Sequence, residues 1–343
     1  MSDEELITKL SLLGFTNYEA RVYIALLKHG SLTSTEIIKV AKIPQARLYD
    51  VMEKLVSKGL VKYSKTRPVR YSLVDPSLAL RKLIDLEIAE KSKVVEELLK
   101  NIPRESIKMP DQSYVWMVSG LNGVMATVED FINKTRDELL VATYSNLVEN
   151  FVDKFKLLKD MNISTCIILY DKYEHIIENF VYFDEVRYKP TYGPIIILSD
   201  LNKGVLIPRM FKENPLAYII EDPEILTPIS GYYFYLRDTS NRLLYRLGVD
   251  VKRRSFRSLI RAIEMINELQ ARGYKVLIEV EGVWVSSRKR DVIKGKPIDV
   301  VRDKLREITT LIIEGEDGSR ISIGGLGATF EDFEAHRITV SSI

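Results

Sequence analysis

The sequence contains a single cysteine, Cys166, among its 343 residues. One thiol excludes an intramolecular disulfide, and it excludes the paired cysteines of zinc sites and redox motifs. Because Cys166 lies in the apolar run Ile163–Tyr170, we interpret it as a buried, unreactive side chain. Long apolar runs are also lacking. The longest wholly aliphatic stretches, such as Ile195–Leu198, are far shorter than a membrane-spanning helix, so the sequence predicts no membrane-spanning segment.

A strong net charge is absent as well. The chain has 50 lysine and arginine residues against 48 acidic ones, a formal charge of +2, so any surface that attracts nucleic acid must be local. The acidic start Met1–Glu5 lacks the apolar region of a secretory signal. At this length the chain predicts two or three domains, and we expect a soluble protein of the cytoplasm.

The sequence motifs of common catalytic sites are missing too. The three histidines, His29, His175 and His336, lie far apart and have no partner at metal-ligand spacing. There is no HExxH, GxSxG or phosphate-binding loop, and the glycines from Gly324 to Gly327 do not continue into GxGxxG, because residue 330 is Phe. The sequence therefore predicts no metal, no cofactor and no enzymatic activity.

What is present begins with the first 75 residues, which follow the pattern of a winged helix-turn-helix. Apolar residues at helical spacing predict four helices, and two alternating segments predict a hairpin. The predicted elements are Leu6–Leu13, Tyr18–Lys28 capped by Asn17, a short helix from Thr33 or Ser34, Gln45–Lys58 after Pro44, and strands at Leu60–Lys65 and Val69–Leu73.

The fourth helix and the hairpin carry a local excess of positive charge. Nine lysine and arginine residues stand against three acidic ones between Glu36 and Val74, which suits phosphate binding. In the major groove an arginine pairs best with guanine and a glutamine with adenine. The predicted DNA contacts are Gln45, Arg47, Tyr49 and Lys54 on the helix, and Lys62, Lys65, Arg67 and Arg70 on the hairpin. The alternative is a winged helix used only for protein contacts, with this face solvated.

Residues 77–102 predict a long helix with a coiled-coil seam. Apolar residues alternate at spacings of four and three, interrupted by one lysine. The seam positions are Ile84, Ile88, Lys91, Val95, Leu98 and Ile102. A homodimer formed through 77–102 would hold two winged helices on a palindrome. A helix packed on its own domain is the alternative.

Strand and helix signals alternate from residue 112 to about residue 250, which favours a three-layer α/β domain. Strands are expected at Tyr114–Val118, Glu138–Thr143, Ile163–Tyr170, Glu185–Lys189, Pro194–Ser199 and Gly204–Pro208, with helices through Lys134 and near Leu147–Lys159. An amphipathic helix from Phe256 to Leu269 then precedes a small all-β domain with strands at Lys275–Val285, Glu307–Glu314, Ser319–Ile323 and Ala335–Val340.

The segment from Glu316 to Val340, with Gly-Gly-Leu-Gly-Ala-Thr-Phe-Glu-Asp-Phe-Glu-Ala at its centre, resembles the C-terminal signature of the TrmB family of archaeal transcriptional regulators. Leu13–Tyr23 and Pro44–Asp50 resemble the winged helix of the same family. The resemblance implies four parts, which we place at residues 1–75 (winged helix), 76–110 (coiled-coil linker), 111–250 (phospholipase-D-like α/β domain) and 251–343 (helix plus β-rich sugar-binding domain).

The resemblance also implies a sugar effector, with maltose and related α-glucosides as the best-known ligands of the family. The sugar contacts implied by position are Thr310, Gly325, Leu326, Thr329, Phe330 and Glu331. A glycine turn exposes backbone N–H groups, and a carboxylate accepts from vicinal hydroxyls. Thr310 departs from the family, whose members often have Asn in this strand. The alternative is a β-turn in which Glu331 only caps the backbone.

Phospholipase-D chemistry requires a histidine followed two residues later by lysine. His29 is followed by Gly-Ser, His175 by Ile-Ile and His336 by Arg-Ile, so the motif is missing. The sequence thus predicts a homodimeric regulator that binds double-stranded DNA in response to a sugar. Two alternatives remain open: a constitutive, chromatin-like DNA-binding protein with a vestigial ligand domain, and an uncharacterised hydrolase.

Overall fold

The structure is a computed structural model, and it describes residues 1–101, 115–171, 180–210, 213–247, 253–303 and 308–342. The chain forms two compact units, Met1–Pro110 and Asp111–Ile343. His175, the predicted seam position Ile102 and the start of the predicted strand at Tyr114 lie outside the described residues.

The first unit contains five helices and a small sheet among its described residues. The helices are α1 (Asp3–Leu12), α2 (Asn17–His29), α3 (Ser34–Ala41), α4 (Gln45–Ser57) and α5 (Pro76–Asn101), and the strands are β1 (Leu32–Thr33), β2 (Val61–Tyr63) and β3 (Arg70–Leu73). The strand order is β1-β3-β2, all antiparallel. Helix α4 and the β2–β3 hairpin confirm the predicted pair of helix and wing, and β1 is an addition that the sequence pattern did not reveal.

Side-chain caps determine where these helices begin. Thr16, not the predicted Asn17, caps α2: its hydroxyl accepts from Glu19 N while Glu19 accepts from Thr16 N. This reciprocal pair of hydrogen bonds between Thr16 and Glu19 is a capping box. It makes Thr16 the cap, and Asn17 is then the first helical residue. Thr33 and Glu36 form the same arrangement at α3, whose first helical residue is Ser34, one of the two predicted starts. Each such cap contributes about 1 kcal/mol to helix stability.

Helix α5 changes character along its length. Ala79 is buried with the winged-helix core, and Leu80 and Leu83 pack against that core. From Asp85 to Asn101 every residue is exposed in the chain taken alone. The exposed apolar side chains in this part are Leu86, Ile88, Val94, Val95, Leu98 and Leu99. The first turns of α5 therefore anchor it to the winged helix, and its remainder leaves apolar surface without a partner.

The second unit begins with an eight-stranded mixed sheet, ordered β11-β7-β6-β5-β8-β9-β10-β4. Its strands are β4 (Val115–Ser119), β5 (Glu138–Thr143), β6 (Ser164–Leu169), β7 (Glu185–Tyr188), β8 (Ile195–Ser199), β9 (Lys203–Ile207), β10 (Leu216–Ile220) and β11 (Asn241–Tyr245). The helices are α6 (Leu121–Lys134), α7 (Ser145–Glu149), α8 (Val152–Asp160) and α9 (Pro223–Asp238).

Alternating side chains of the central strands pack into two separate cores, one on each face of the sheet. Val141 and Ile167 face the core that contains α6, α7 and α8, whereas Leu140 and Cys166 face the core that contains α9. This confirms the predicted three layers, and Cys166 is buried as expected. The single helix expected near Leu147–Lys159 is two helices, because the backbone leaves helical geometry at Phe151, with φ of −128° and ψ of 18°. Strands β10 and β11 and helix α9 were not predicted.

The last part of the chain is a small β-barrel with one helix. Its strands are β12 (Arg253–Phe256), β13 (Val276–Trp284), β14 (Arg290–Asp303), β15 (Ile308–Gly315), β16 (Arg320–Gly324) and β17 (Phe333–Ser342), and its helix is α10 (Leu259–Ala271). The parallel pairing of β16 with β17 closes the ring β17-β13-β14-β15-β16. The apolar face of α10 packs into the barrel core. The prediction was wrong in starting the helix at Phe256, which lies in β12, and in omitting β12 and β14.

Candidate functional site

The surface formed by α4 and the wing collects the predicted DNA contacts. All eight predicted side chains are exposed: Gln45, Arg47, Tyr49, Lys54, Lys62, Lys65, Arg67 and Arg70. Leu48, Met52 and Leu55 on the opposite face of α4 are buried, so packing fixes which face of the helix meets water. Tyr49 is 77% exposed, a large aromatic surface that the monomer core does not use.

Arg70 differs from the other cations of this surface. Its guanidinium donates to the Ser31 carbonyl at 2.7 Å and to the Ser31 hydroxyl at 3.2 Å, and it lies 3.9 Å from the Glu36 carboxylate. These contacts tie the base of the wing to the turn before α3. No described group makes such contacts with Arg47, Lys62, Lys65 or Arg67, so those charges are available to a ligand.

A second candidate site, which we call the central cleft, lies where α9, the segment Arg257–Ile260 and the segment Gly325–Glu331 meet. It has a volume of about 820 Å³, within the range of small-molecule sites. Five of the six predicted sugar contacts line it: Gly325, Leu326, Thr329, Phe330 and Glu331. Leu326 and Phe330 expose apolar surface, 50% and 70% respectively, at its edge.

Thr310, the sixth predicted contact, lies behind Glu331. Its hydroxyl donates to Glu331 Oε1 at 2.9 Å, and the backbone N–H of Phe330 donates to Oε2 at 3.3 Å. Glu331 is 7% exposed, and no described cation pairs with it. The capping contact that the sequence offered as an alternative is therefore present, and the carboxylate also lines the cleft.

Two glycines allow this local geometry. A Cβ on Gly324 would lie 2.5 Å from Ala328 Cβ and 2.7 Å from the Glu331 carboxyl group, which is closer than side chains approach. Gly327 has φ of 78°, a conformation that favours glycine. The Gly327 N–H donates to Glu334 Oε1 at 3.0 Å. Burial raises the pKa of Glu334, but this hydrogen bond and Arg288 outweigh it and lower the pKa overall.

The opposite wall of the cleft comes from residues that sequence reasoning missed. Helix α9 contributes Glu224, Thr227, Ser230 and Phe234, and Thr309 lies beside the predicted Thr310. Asp222 caps α9 by accepting from Glu224 N and Ile225 N. No sequence motif marks these side chains, because they meet the Gly325–Glu331 segment only after the sheet and barrel have packed together.

Buried ion pairs join the sheet to α10 behind the cleft. Arg261, fully buried, contacts Glu185 Oε2 at 2.5 Å and Glu138 Oε1 at 3.0 Å. Arg237 also donates to Glu185, at 2.9 Å. Burial raises the pKa of Glu185, but Arg261 and Arg237 outweigh it and lower the pKa to about 2. Burial dominates at Glu138 and raises its pKa to about 7, despite Arg261 and the N–H groups of Arg257 and Ser258.

These pairs fix one wall of the cleft. Glu138 Oε2 accepts from the backbone N–H of Ser258 at 2.7 Å, and Asp137 accepts from Arg257 Nε at 2.8 Å. Arg257 and Ser258 both line the central cleft. The cleft wall is thereby attached to the start of strand β5.

Among the described residues, no group of three or more His, Cys, Asp or Glu side chains could hold a metal ion. No helix in the part of the chain that the structure describes is long and apolar enough to cross a membrane.

Comparisons with known families cover most of the chain. Residues 10–77 match the family described as sugar-specific transcriptional regulator TrmB, residues 114–244 match the N-terminal EBD subdomain of TrmB, and residues 251–343 match the C-terminal EBD subdomain of TrmB and TrmBL1. The chain belongs to the TrmB family of transcriptional regulators. The resemblance inferred from the Gly-Gly and Glu-Asp-Phe-Glu-Ala segment is confirmed.

Two curated relatives and one solved structure illustrate the range of similarity. The HTH-type sugar sensing transcriptional regulator TrmBL1 of Pyrococcus furiosus is 25% identical over 97% of this chain and 98% of its own length. The DNA-binding HTH-type transcriptional repressor TrmBL2 of Thermococcus kodakarensis is 30% identical over 36% of this chain and 51% of its own. A TrmBL2 structure described as an archaeal chromatin protein aligns over 71% of this chain and all of its own, with 21% identity and a TM-score of 0.46.

Proposed function

We propose that this TrmB-family regulator binds operator DNA through α4 and the wing, and that a sugar in the central cleft changes its affinity for that DNA. Maltose or a related α-glucoside is the proposed effector. The observation that carries the proposal is that Gly325, Leu326, Thr329, Phe330 and Glu331 line one cleft of about 820 Å³. A sensing role for the P. furiosus relative, as its name states, agrees with it.

The chemistry of the cleft suits a polyhydroxy ligand without negative charge. Glu331 offers carboxylate oxygens, and Thr227, Ser230 and Thr309 offer hydroxyl groups that both donate and accept. Phe330 offers an apolar surface to the face of a sugar ring. The cation on the cleft wall, Arg257, is already held by Asp137 and the His336 carbonyl, so it does not balance the charge of Glu331.

On the DNA side, we propose that Gln45, Arg47 and Tyr49 contact base edges, while Lys54, Lys62, Lys65 and Arg67 contact phosphates. Exposed charges suit this task because they release counterions on binding. Arg70, held by Ser31, acts in this proposal by orienting the wing and its phosphate-binding residues.

We further propose a homodimer formed through residues 77–102. Support comes from the exposed apolar side chains of α5, among them the seam positions Ile88, Val95 and Leu98. Lys91 lies in the seam and pairs with Glu87 at 2.7 Å, which keeps the polar break satisfied. In this arrangement a sugar alters DNA affinity only to the extent that it prefers one dimer geometry over another.

We further propose that the chain has four functional parts. The four parts are placed at 1–75, 76–110, 111–250 and 251–343. The α/β part acts as a phospholipase-D-like scaffold without catalysis, since no histidine in the sequence is followed two residues later by lysine. Because its ligand is DNA, we assign the protein to the cytoplasm.

The test is calorimetric titration of maltose into the full chain and into Glu331→Gln. Glutamine keeps the shape of the side chain but loses the charge, and a hydrogen bond to a charged group contributes about 1.5–3 kcal/mol where a neutral one contributes about 1. We expect maltose affinity to fall about tenfold in Glu331→Gln and further in Glu331→Ala, with DNA binding retained. Glu314→Gln is the control, because Glu314 is exposed on the same barrel and does not line the central cleft.

Thermal unfolding of the sugar-free proteins separates binding from capping. If Glu331 only caps the backbone, Glu331→Ala lowers the melting temperature without ligand and leaves maltose affinity unchanged. That outcome would remove Glu331 from the site and overturn the proposed position of the sugar.

A further inference from the structure

A second cleft lies at one end of the barrel, and we call it the mouth cleft. The strand ends that surround it are brought together by pairing: Trp284 is opposite Phe333, and Glu314 is opposite Arg320. Its volume is about 750 Å³. The lining side chains that matter here are Trp284, Lys294, Glu316, Asp317, Arg320 and Asp332.

Trp284 is held in a fixed orientation on the floor of this cleft. Its indole N–H donates to Asp291 at 3.0 Å, and its ring meets the buried ring of Phe333 edge-on, with centroids 5.3 Å apart. Val292 and Ile321 continue the apolar floor. A ring fixed in this way binds a flat apolar surface at little cost in side-chain entropy.

The rim above this floor is polar and of mixed sign. Arg320 and Glu316 are exposed, and no described residue pairs with either of them. Asp317 and Asp332 are held by Ser319 and Ser322, each accepting from a backbone N–H and a hydroxyl. An apolar platform surrounded by donors and acceptors of both signs matches a pyranose ring, which has an apolar C–H face and hydroxyls around its edge.

The two clefts share one stretch of chain. Phe330 and Glu331 line the central cleft, and the next residue, Asp332, lines the mouth cleft. Phe333, which follows, carries the ring that supports Trp284. A ligand in one cleft therefore contacts residues directly joined to the wall of the other.

We propose that the mouth cleft is a second saccharide site, in which a hexopyranose unit stacks on Trp284 and hydrogen-bonds to Arg320 and Asp317. The proposal extends the proposed sugar response to a second sugar molecule, which is bound by residues separate from those of the central cleft.

The chain itself supplies a specific reporter. It has two tryptophans, Trp116 and Trp284, so Trp116→Phe leaves Trp284 as the only indole. In this full-length background we expect maltose and methyl α-glucoside to shift and partly quench the emission of Trp284. Sorbitol, which has no ring face, should leave the spectrum unchanged at the same concentration.

Variants of the two clefts separate this inference from the proposed function. Adding Glu331→Gln should leave the midpoint of the Trp284 signal within about threefold of the parent, while calorimetry shows the loss at the central cleft. Arg320→Ala, a substitution at an exposed side chain, should weaken the Trp284 response at least fivefold and leave the Glu331-dependent binding in place. Trp284→Phe, which keeps an aromatic contact with Phe333, should reduce the calorimetric stoichiometry from two sugars per chain to one.

Two results would overturn the inference. The first is an unchanged Trp284 spectrum at sugar concentrations that saturate the central cleft. The second is a Trp284 midpoint that shifts tenfold with Glu331→Gln and does not respond to Arg320→Ala, which would mean that the indole reports only the central cleft. In both cases the proposed function stands. Conversely, a Trp284 response without any Glu331-dependent binding would support the mouth cleft and contradict the proposed central site.

Discussion

The two units of the chain treat charge in opposite ways. In the winged-helix unit the core is apolar, and Glu19 is the one acidic or basic side chain that is buried among its described residues. The cations of α4 and the wing are exposed. In the second unit, Arg237, Arg254 and Arg261 are buried and lie against carboxylates. The same residue type thus has two tasks within one chain.

The difference follows from what each surface is proposed to bind. A polyanion is bound by charges that remain in water until counterions are released. Arg47 or Lys65 could not contact a polyanion if it were buried. A small-molecule cleft requires walls that keep their position, and a buried ion pair fixes geometry because separating it leaves a charge without a partner. The comparison predicts that losing one charge destabilises the second unit strongly but leaves the folding of the first nearly unchanged.

The largest expected effect is from Glu185→Gln. The substitution leaves Arg237 and Arg261 buried against a neutral group, and breaking a buried pair costs about 3–5 kcal/mol. Urea unfolding followed by circular dichroism measures the change. Asp130→Asn is the control, since its pair with Lys134 is exposed and of the i,i+4 type and contributes about 0.3–0.5 kcal/mol. Equal losses in the two variants would refute the claim that burial makes the Glu185 pairs important for stability.

The next effect concerns DNA specificity. Arg47→Ala should weaken operator binding by about 1–3 kcal/mol and relax the preference at one base position, because a bidentate contact to guanine is lost. The melting temperature should not change. Binding to a panel of operator variants measures both, and Lys9→Ala on α1 serves as the control for loss of one positive charge. If Arg47→Ala discriminates among the variants as the parent does, α4 does not read bases through this residue.

A smaller effect is expected from Lys65→Ala on the wing. Loss of a phosphate contact should weaken binding to all sequences alike and reduce the salt dependence of the binding constant by about one charge. Titrations at several salt concentrations give this slope. A change that depends on the DNA sequence would instead place Lys65 against bases.

A separate effect, on stability and not on DNA binding, is one of pH. The pKa of Glu138 is about 7 in the folded chain against a usual value of 4.5, so between these values the folded state holds a proton that the unfolded state has released. The contribution of Glu138 to the unfolding free energy therefore decreases as pH rises from 4.5 and levels off above 7. Melting curves between pH 5 and 8 should show this decrease, and Glu138→Gln should make it shallower. An identical pH profile in the variant would contradict the assignment.

Regular periodicity made much of this fold predictable from the sequence. Helix α4 and the strands β5, β6 and β8 lie within about one residue of their expected bounds, because apolar spacing and short turns define them. Helix α9 was missed since Pro228 lies inside it and removes one backbone donor. Buried Tyr233 and Leu236 stabilise the helix despite this loss. Strand β14 was missed because Gly295 and Pro297 interrupt its alternation, and Pro297 lies at a register shift.

The candidate site also has a part that the sequence predicts and a part that it does not. The segment Gly325–Glu331 is contiguous, so a motif revealed it. Ser230 and Thr227 reach the cleft from a helix nearly a hundred residues earlier, and tertiary packing alone brings them there. Thr310 was carried over from the family as a sugar contact, whereas the structure places its hydroxyl against Glu331 as a hydrogen-bond donor.

The loop between β16 and β17 starts and finishes at neighbouring points of the barrel. Ile323 is paired with Phe333, and Gly324 with Glu334. Pairing of β16 with β17 therefore holds the two ends of the loop together. Replacing Leu326, Thr329 or Phe330 alters what lines the cleft and leaves the strand pairing intact. Surface loops that are anchored in this way tolerate sequence change far better than the elements that hold them. If the proposed function holds, the barrel can therefore acquire a new effector through substitutions in one short segment, without a new fold and without any change in α4 or the wing.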